Sequence, residues 1–292
     1  MIYRRGNRIY YLMLTPYLIG LIGLILVPAL LSLGLAFTRY DALTSPEWIG
    51  LGNVSQLFRD RLFWIALNNT LLYLGLAVLL RMGGAFLLAL LLQQRGRSLD
   101  LARVTIYLPT VIPDVAYALI WLVALNPRYG PINLLLGVLS LPTPVWAGEP
   151  WPALLALVLM AAWQLGEGFV ILLASLKDIP AHLHEAAAID GAGFWARFRH
   201  ITLPLLLSRL LLLTARDTII SLQANFVPSL IVTKGGPGYA TLFLPLYTFF
   251  LAFDDFRFGY AATVVWTLYL ITLIVICLQY LLGKRWQYTD AY

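Results

Sequence analysis

Six long apolar segments run through the chain, separated by shorter polar stretches. They cover roughly residues 10–38, 65–92, 104–125, 152–176, 203–232 and 259–282. A helix of about 20 mostly apolar residues crosses a hydrocarbon core of about 30 Å. The pattern therefore predicts an all-α, polytopic membrane protein with six transmembrane helices. An even number of spans places both termini on the same side of the membrane.

Composition strengthens this assignment. The 292 residues are 61% hydrophobic and 12% charged, with a mean hydropathy of +0.81. The net charge of +6 forms no basic stripe, so no nucleic-acid partner is expected. The first apolar segment exceeds the roughly 7–15 residues of a signal-peptide core and is predicted to remain as a span. The single cysteine, Cys277, excludes an intramolecular disulfide and is expected to be a small buried side chain.

The distribution of Lys and Arg predicts the orientation. One side holds Arg4, Arg5, Arg8, Arg95, Arg97, Arg103, Lys177, Arg197, Arg199, Lys284 and Arg285. The other side holds Arg39, Arg59, Arg61, Arg128, Lys234 and Arg257. Because cytoplasmic loops are enriched in these residues, the side with eleven rather than six is predicted to be cytoplasmic. Both termini and the loop at 177–203 then face the cytoplasm.

That loop has the small and charged residues typical of a water-exposed surface. Its sequence over residues 177–204 is KDIPAHLHEAAAIDGAGFWARFRHITLP. Asp178 is a candidate helix cap, and Pro180 fits a first turn. Residues 181–189 favour helix, and Gly191 is well placed for a left-handed C-terminal cap. A second short helix is predicted over residues 194–200. Together they form a helix–turn–helix elbow outside the membrane.

The chemistry of the elbow suits docking to another protein. Three consecutive alanines, residues 186–188, allow close backbone approach. Phe194, Trp195 and Phe198 are apolar anchors of the kind that dominate interface energetics. A solvated loop carrying an interfacial helix is the competing interpretation.

The elbow also carries a family resemblance. EAAAIDGAG followed by FRHITLPLL resembles the EAA motif of ABC importer permeases, and the surrounding chain resembles the maltose-type carbohydrate permeases. The similar segments, in the family's order, are EWIGLGN, FWIALNNTLLY, YLPTVIPDVAYALIW, NPRYGPIN, WQLGEGFVILLASLKDIP and TKGGPG. The resemblance implies a single transmembrane domain over residues 1–292 that moves a sugar or related polyol across the cytoplasmic (inner) membrane by alternating access. The implied partners are a second permease, two cytoplasmic ATPase subunits and an extracytoplasmic substrate-binding protein, within membrane lipid.

The resemblance makes the elbow a coupling helix that inserts into a cleft on an ATPase subunit. The coupling positions it assigns are Glu185, Ala186, Ala187, Asp190, Gly191 and Gly193. The sequence has no G-x-x-x-x-G-K-[ST] loop, so ATP hydrolysis is expected on partner chains. The chain itself is not expected to be an enzyme or to hold a cofactor or metal.

Five ionisable residues fall within the predicted spans: Arg81, Asp114, Glu167, Arg216 and Asp217. A charge at mid-bilayer costs roughly 2.5–3.5 kcal/mol on insertion scales, so each needs a partner or a wet cavity. Arg216 and Asp217 lie about 100° apart on a helix and are not expected to pair. Asp114 and Glu167 are the candidate partners of Arg216. Charges within the predicted spans also suggest an alternative hypothesis, an ion-coupled secondary transporter for a small polar solute. This alternative does not explain the elbow.

Polar residues at helical spacing mark two of the spans. Trp163 and Glu167, with Gln164 beside them, are predicted to share one helix face, and Thr218, Leu222 and Asn225 another. An aromatic ring with hydrogen-bonding groups suits a sugar. The resemblance places substrate contacts on these same spans, at or near all of these positions except Trp163. The acidic Glu167 departs from the family pattern. A helix–helix hydrogen bond is the alternative role for both Glu167 and Asn225.

Overall fold

The computed structural model describes residues 3–94 and 96–284. Arg95 and Arg285, both used in the orientation argument, lie outside the described residues. The helices in the first half of the chain are α1 Tyr3–Gly20, α2 Val27–Leu35, α3 Gly52–Arg59, α4 Arg61–Leu91, α5 Arg97–Tyr107, α6 Asp114–Ala124 and α7 Pro131–Val138. Those in the second half are α8 Pro150–Trp163, α9 Gly166–Lys177, α10 Ala181–Ile189, α11 Phe194–Arg197, α12 Leu203–Ala224, α13 Phe226–Pro228, α14 Leu244–Phe249 and α15 Phe258–Lys284.

Shorter helical turns and one hairpin complete the described part of the chain. Wider π-helical turns occupy Leu21–Leu26, Phe198–Thr202, Ser229–Thr233 and Phe250–Asp254, and a tighter 3₁₀ turn occupies Leu108–Val111. Strands β1 Thr38–Arg39 and β2 Glu47–Trp48 pair antiparallel, with Thr38 opposite Trp48. The predicted all-α class is confirmed.

Within the described residues, three helices are long and apolar enough to cross a membrane: Tyr10–Leu35, Arg61–Leu91 and Phe258–Gly283. Two bent pairs qualify jointly, Arg97–Val111 with Asp114–Ala124 and Pro150–Trp163 with Gly166–Lys177, which raises the number to five. The remaining predicted span corresponds to α12, which has 22 residues but contains Arg209, Arg216 and Asp217. The count of six spans therefore stays a prediction.

The third and fourth predicted spans are broken rather than straight. The third bends by 107° between Val111 and Asp114. Pro113 explains this break, because a residue before proline avoids the helical region, and Ile112 is accordingly extended with ψ 127°. The fourth bends by 42° between Trp163 and Gly166.

Gly166 lies at a close crossing of two chain segments. A Cβ atom built on Gly166 would lie 2.8 Å from the Cα of Tyr107 and 2.9 Å from the Ile106 carbonyl oxygen. Only glycine leaves room for backbone at that distance. The start of α9 therefore packs directly on the end of α5.

The chain divides into two compact units, and the first comprises residues up to Phe63 together with Thr248–Tyr269. In this unit the Asn53 amide donates to the carbonyl oxygens of Ala36 and Thr38, at 2.9 Å each. The Thr263 hydroxyl donates to the same Ala36 oxygen, also at 2.9 Å. These bonds satisfy the carbonyl of Ala36, the C-terminal cap residue of α2, and that of Thr38 in β1.

The second unit comprises Trp64–Tyr247 and the residues from Leu270 onward. One part of its core gathers around Tyr73, Tyr117, Trp146 and Phe243. Another surrounds Phe169, Leu172 and Leu206. Cys277, expected to be buried, is instead exposed on α15. The expectation was wrong because in a membrane protein an apolar segment often presents its side chains outward to lipid.

Candidate functional site

Three residues separate α9 from α10, the first helix of the elbow, and Pro180 rather than Asp178 is the N-terminal cap residue of α10. The predicted capping role of Asp178 is wrong. Its carboxylate instead forms an ion pair with Arg209, with 3.3 Å between Asp178 Oδ2 and Arg209 Nη2. Arg209 also donates to the Ser175 carbonyl oxygen in the last turn of α9, at 3.2 Å. A cation at a helix C-terminus is favourable, so this pair secures the chain as it leaves α9.

The C-terminal end of α10 confirms the predicted left-handed cap at Gly191, which has φ +80°. The Ala192 N–H donates to the Ala187 oxygen at 2.8 Å, and the Gly191 N–H donates to the Ala188 oxygen at 3.1 Å. This pair of bonds is the Schellman arrangement, which satisfies carbonyls at a helix end and reverses the chain. The turn between the two arms of the elbow, α10 and α11, therefore depends on Gly191.

The second arm starts at the predicted place but does not stop at His200. Helix α11 passes through the wider turn Phe198–Thr202 directly into α12, with Pro204 in the first turn of α12. The second helix of the elbow is therefore continuous with α12.

Apolar side chains form an exposed tip on the elbow. Ile189, Phe194 and Trp195 are 87%, 64% and 76% exposed. Phe198 instead points back toward α4, with its ring centroid 6.1 Å from that of Phe86. Among the predicted coupling residues, Glu185, Ala186, Asp190, Gly191 and Gly193 are exposed, and Ala187 is half-buried. An exposed apolar tip beside carboxylates is typical of a surface that contacts another protein.

Two of the ionisable residues from the predicted spans pair inside the second unit. Arg81 Nη1 lies 2.8 Å from Asp217 Oδ1, and the two side chains are 9% and 8% exposed. Arg81 Nε also donates to the Ala161 carbonyl oxygen at 3.0 Å. The pair links α4 to α12 and α8, which is a structural role.

A second pair lies nearer the surface. Arg216 Nη2 donates to Glu167 Oε2, and the side chains are 42% and 50% exposed. Of the two candidate partners of Arg216, the structure selects Glu167. Asp114 lies exposed in the first turn of α6, where a carboxylate is favoured by the helix dipole.

The predicted shared helix face of Trp163 and Glu167 is wrong. Helix α8 ends at Trp163, Gln164 leaves the helical region with ψ 41°, and α9 starts at Gly166. The break lies directly before the close crossing at Gly166, and the spacing alone does not reveal it. Trp163 is nevertheless 59% exposed, Gln164 is half-buried and Glu167 is exposed.

Thr218, Leu222 and Asn225 point inward. They are 0%, 1% and 1% exposed, respectively. The Thr218 hydroxyl accepts a hydrogen bond from Gln279 Nε2 at 2.8 Å. The Asn225 amide has no hydrogen-bond partner among the described residues. These residues are shielded from solvent in this conformation.

Two residues of this polar interior were not singled out from the sequence. Ser221 lies one turn from both Asp217 and Asn225, and its buried hydroxyl has no hydrogen-bond partner among the described residues. Gln279 lies on α15 and bonds to Thr218. A polar residue within an otherwise apolar segment is the signal that could have identified Gln279.

The chain resembles known membrane transport proteins along its length. Residues 82–288 match the family of binding-protein-dependent transport system inner membrane components. The chain is 34% identical to the probable ABC transporter permease protein YesP of Bacillus subtilis (strain 168), covering 99% of this chain and 94% of that protein. It is 30% identical to the trehalose/maltose transport system permease protein MalF of Thermococcus litoralis, covering 94% of each.

A solved structure has the same fold. A chain of a bacterial alginate ABC transporter, crystallised with an alginate pentasaccharide-bound periplasmic protein, superimposes with a TM-score of 0.84. The two chains are 22% identical, and the match covers 99% of each. At this identity the likeness concerns the fold alone.

Proposed function

Because the chain belongs to the binding-protein-dependent inner membrane components, the permease subunits of ABC transporters, we propose that it is one half of the pore of an ATP-driven sugar importer. The observation that carries the proposal is the elbow, with its Schellman turn at Gly191 and its exposed apolar tip. Such a surface has no evident use in a transporter that works alone.

The elbow is proposed to dock into a cytoplasmic ATPase subunit. Ile189, Phe194 and Trp195 provide the apolar anchors, while Glu185 and Asp190 provide exposed carboxylates. The coupling set is Glu185, Ala186, Ala187, Asp190, Gly191 and Gly193. The continuous helix from α11 into α12 would carry closure of the ATPases into the membrane.

The substrate is proposed to be a sugar or related polyol. The trehalose/maltose permease among the relatives supports this class. Trp163 offers a ring face, and Gln164 and the Glu167–Arg216 pair offer hydrogen-bonding groups at an accessible surface. Thr218, Leu222 and Asn225 are buried, so their contact with substrate requires another state of the transport cycle. The unpartnered amide of Asn225 favours such a state, since an unsatisfied buried amide costs free energy.

The proposed complex contains this chain, a second permease, two ATPase subunits and a substrate-binding protein outside. Both termini and the elbow are proposed to be cytoplasmic, on the Lys and Arg distribution.

An ion-coupled transporter is the alternative, motivated by the intramembrane charges. It is disfavoured because Arg81 pairs with Asp217 and Arg216 pairs with Glu167. The buried pair has a structural explanation, and neither pair requires a coupling ion.

The test is transport by the complete complex reconstituted in vesicles with its binding protein. Uptake of a neutral oligosaccharide should require ATP and a functional ATPase, and should continue after ionophores remove all ion gradients. Uptake driven by an ion gradient without ATP would refute the proposal.

A further inference from the structure

A cavity of about 230 Å³ lies between the elbow and the C-terminal ends of α4 and α9. Leu90 and Leu176, each one residue before the end of its helix, contribute to its apolar wall. Its polar lining is Gln93, His184, Arg197 and Thr202. None of the described residues that line the cavity is acidic. The cavity therefore offers several hydrogen-bond donors and a cation, together with an apolar wall.

Arg197 supplies the positive charge of this cavity. Four other arginines of the second unit pair with carboxylates, namely Arg81, Arg103, Arg209 and Arg216. Arg197 is half-buried, and none of the described residues forms an ion pair with it. Its Nε is shielded from solvent and has no hydrogen-bond partner among the described residues. A shielded cation without an anion is unfavourable, so the cavity is complementary to an anionic ligand.

We propose that this cavity binds the phosphate headgroup of an anionic phospholipid. A guanidinium group suits phosphate because its planar donors match two phosphate oxygens. The cavity lies at the ends of α4 and α9, and next to Leu90 the side chains of Leu87 and Leu91 are 57% and 63% exposed. These exposed leucines suit an acyl chain, which a free phosphate lacks. The inference rests on the membrane placement given under the proposed function.

A lipid held there would contact both arms of the elbow, since His184 belongs to α10 and Arg197 to α11. It would also contact the ends of α4 and α9 through Leu90 and Leu176. The position of the elbow would then depend on the anionic lipid content of the membrane.

The test is native mass spectrometry of the complete complex, extracted from bilayers of phosphatidylglycerol and phosphatidylcholine in equal amounts. The wild-type complex should retain phosphatidylglycerol preferentially. Arg197→Gln should weaken this retention about tenfold, equivalent to about 1.4 kcal/mol, and Arg197→Lys should restore part of it. Arg199→Gln is the matched control, because Arg199 is exposed and does not line the cavity; it should retain lipid like wild type.

A second variant keeps the test decisive if Arg197→Gln does not assemble. Gln93 is exposed just beyond α4, so Gln93→Trp should assemble, and its indole should obstruct the cavity and reduce lipid retention. Equal retention of the two lipids by wild type would overturn the proposal. Saturable binding of inorganic phosphate that depends on Arg197 and excludes lipid would also overturn it. Loss of the ATPase subunit from the Arg197→Gln complex, with lipid retention unchanged, would do the same. Retention is measured without transport, so failure of the sugar-import proposal would be seen separately.

Discussion

Arg81 of α4 and Asp217 of α12 form a buried ion pair with 2.8 Å between Nη1 and Oδ1. Arg81 also donates to the Ala161 carbonyl oxygen, so its guanidinium joins three helices. Asp217 Oδ2 has no hydrogen-bond partner among the described residues. The pair is therefore incompletely satisfied, and each charge depends on the other.

Removal of one member of this pair should destabilise the protein strongly. Arg81→Leu leaves Asp217 buried without a counter-charge, which typically costs about 3–5 kcal/mol. The double variant Arg81→Met with Asp217→Leu should recover most of this loss, because no unpaired charge remains. Thermal unfolding of the purified complex measures both effects. The control is Arg209→Gln, which breaks the exposed pair with Asp178 and should lower the free energy of unfolding by about 0–1 kcal/mol. A double variant no more stable than Arg81→Leu would contradict the prediction.

Two neighbouring glycines of α9 should respond in opposite ways to alanine. Gly166→Ala places a Cβ 2.8 Å from the Tyr107 backbone, so it should cost about 1–3 kcal/mol as an overpacked site. Gly168→Ala meets only ordinary contacts, at 3.5 Å from the Ala85 Cβ. It should be neutral or stabilising by up to about 1 kcal/mol through helix propensity. Unfolding midpoints of the two variants measure the difference, and equal midpoints would argue against the close crossing.

Two glycines of the elbow, Gly191 and Gly193, should also respond differently to substitution. Gly191 has φ +80°, whereas Gly193 has φ −68°, and nothing lies within 4 Å of a Cβ at either position. Gly191→Val should strain the turn by about 1–2 kcal/mol, while Gly193→Ala keeps an ordinary backbone conformation. We expect Gly191→Val to lower the unfolding midpoint and to reduce ATPase-subunit association and ATP-driven uptake, whereas Gly193→Ala should leave the unfolding midpoint unchanged and serves as the control for stability. Gly191→Asn, which tolerates the left-handed region, should recover part of the activity; full uptake by the valine variant would remove Gly191 from coupling.

Glu167 should matter more for transport than for stability. Its pair with Arg216 is about half exposed on both sides, so Glu167→Gln should change stability by about 1 kcal/mol or less. If the carboxylate contacts substrate hydroxyls, the same variant should reduce uptake and substrate-stimulated ATP hydrolysis. Glu149→Gln is the control, since Glu149 is exposed at the opposite end of α8. A large loss of stability in Glu167→Gln, rescued by Arg216→Met, would instead assign the pair a structural role.

The orientation can be tested by cysteine labelling. Cys277 is exposed, so it must first be replaced by alanine. Single cysteines at Ala181 in the elbow and at Tyr239, which is 53% exposed, should then react with an impermeant thiol reagent from opposite sides of the membrane. Ala181→Cys should react only in inverted vesicles and Tyr239→Cys only in intact cells. Reaction of Ala181→Cys in intact cells would reverse the predicted topology.

Local pattern alone determined the class of the protein and the form of the elbow. Hydropathy identifies membrane helices because burial in lipid depends on the residues within one segment. Likewise, the cap at Gly191 follows from an alanine-rich helix that ends in a glycine, and φ +80° confirms it. Such signals act within one or two helical turns, so a single sequence is sufficient to predict them.

The partners of the buried charges were decided by tertiary structure. Arg81 and Asp217 are 136 residues apart in the chain, and no local spacing relates them. A Cβ on Gly166 would lie 2.8 Å from the Cα of Tyr107, which belongs to another helix, and Thr218 of α12 accepts a hydrogen bond from Gln279 of α15. Each of these features arises where segments distant in sequence come within a few ångströms. Helix periodicity predicts which residues share a face, but only packing determines what that face meets.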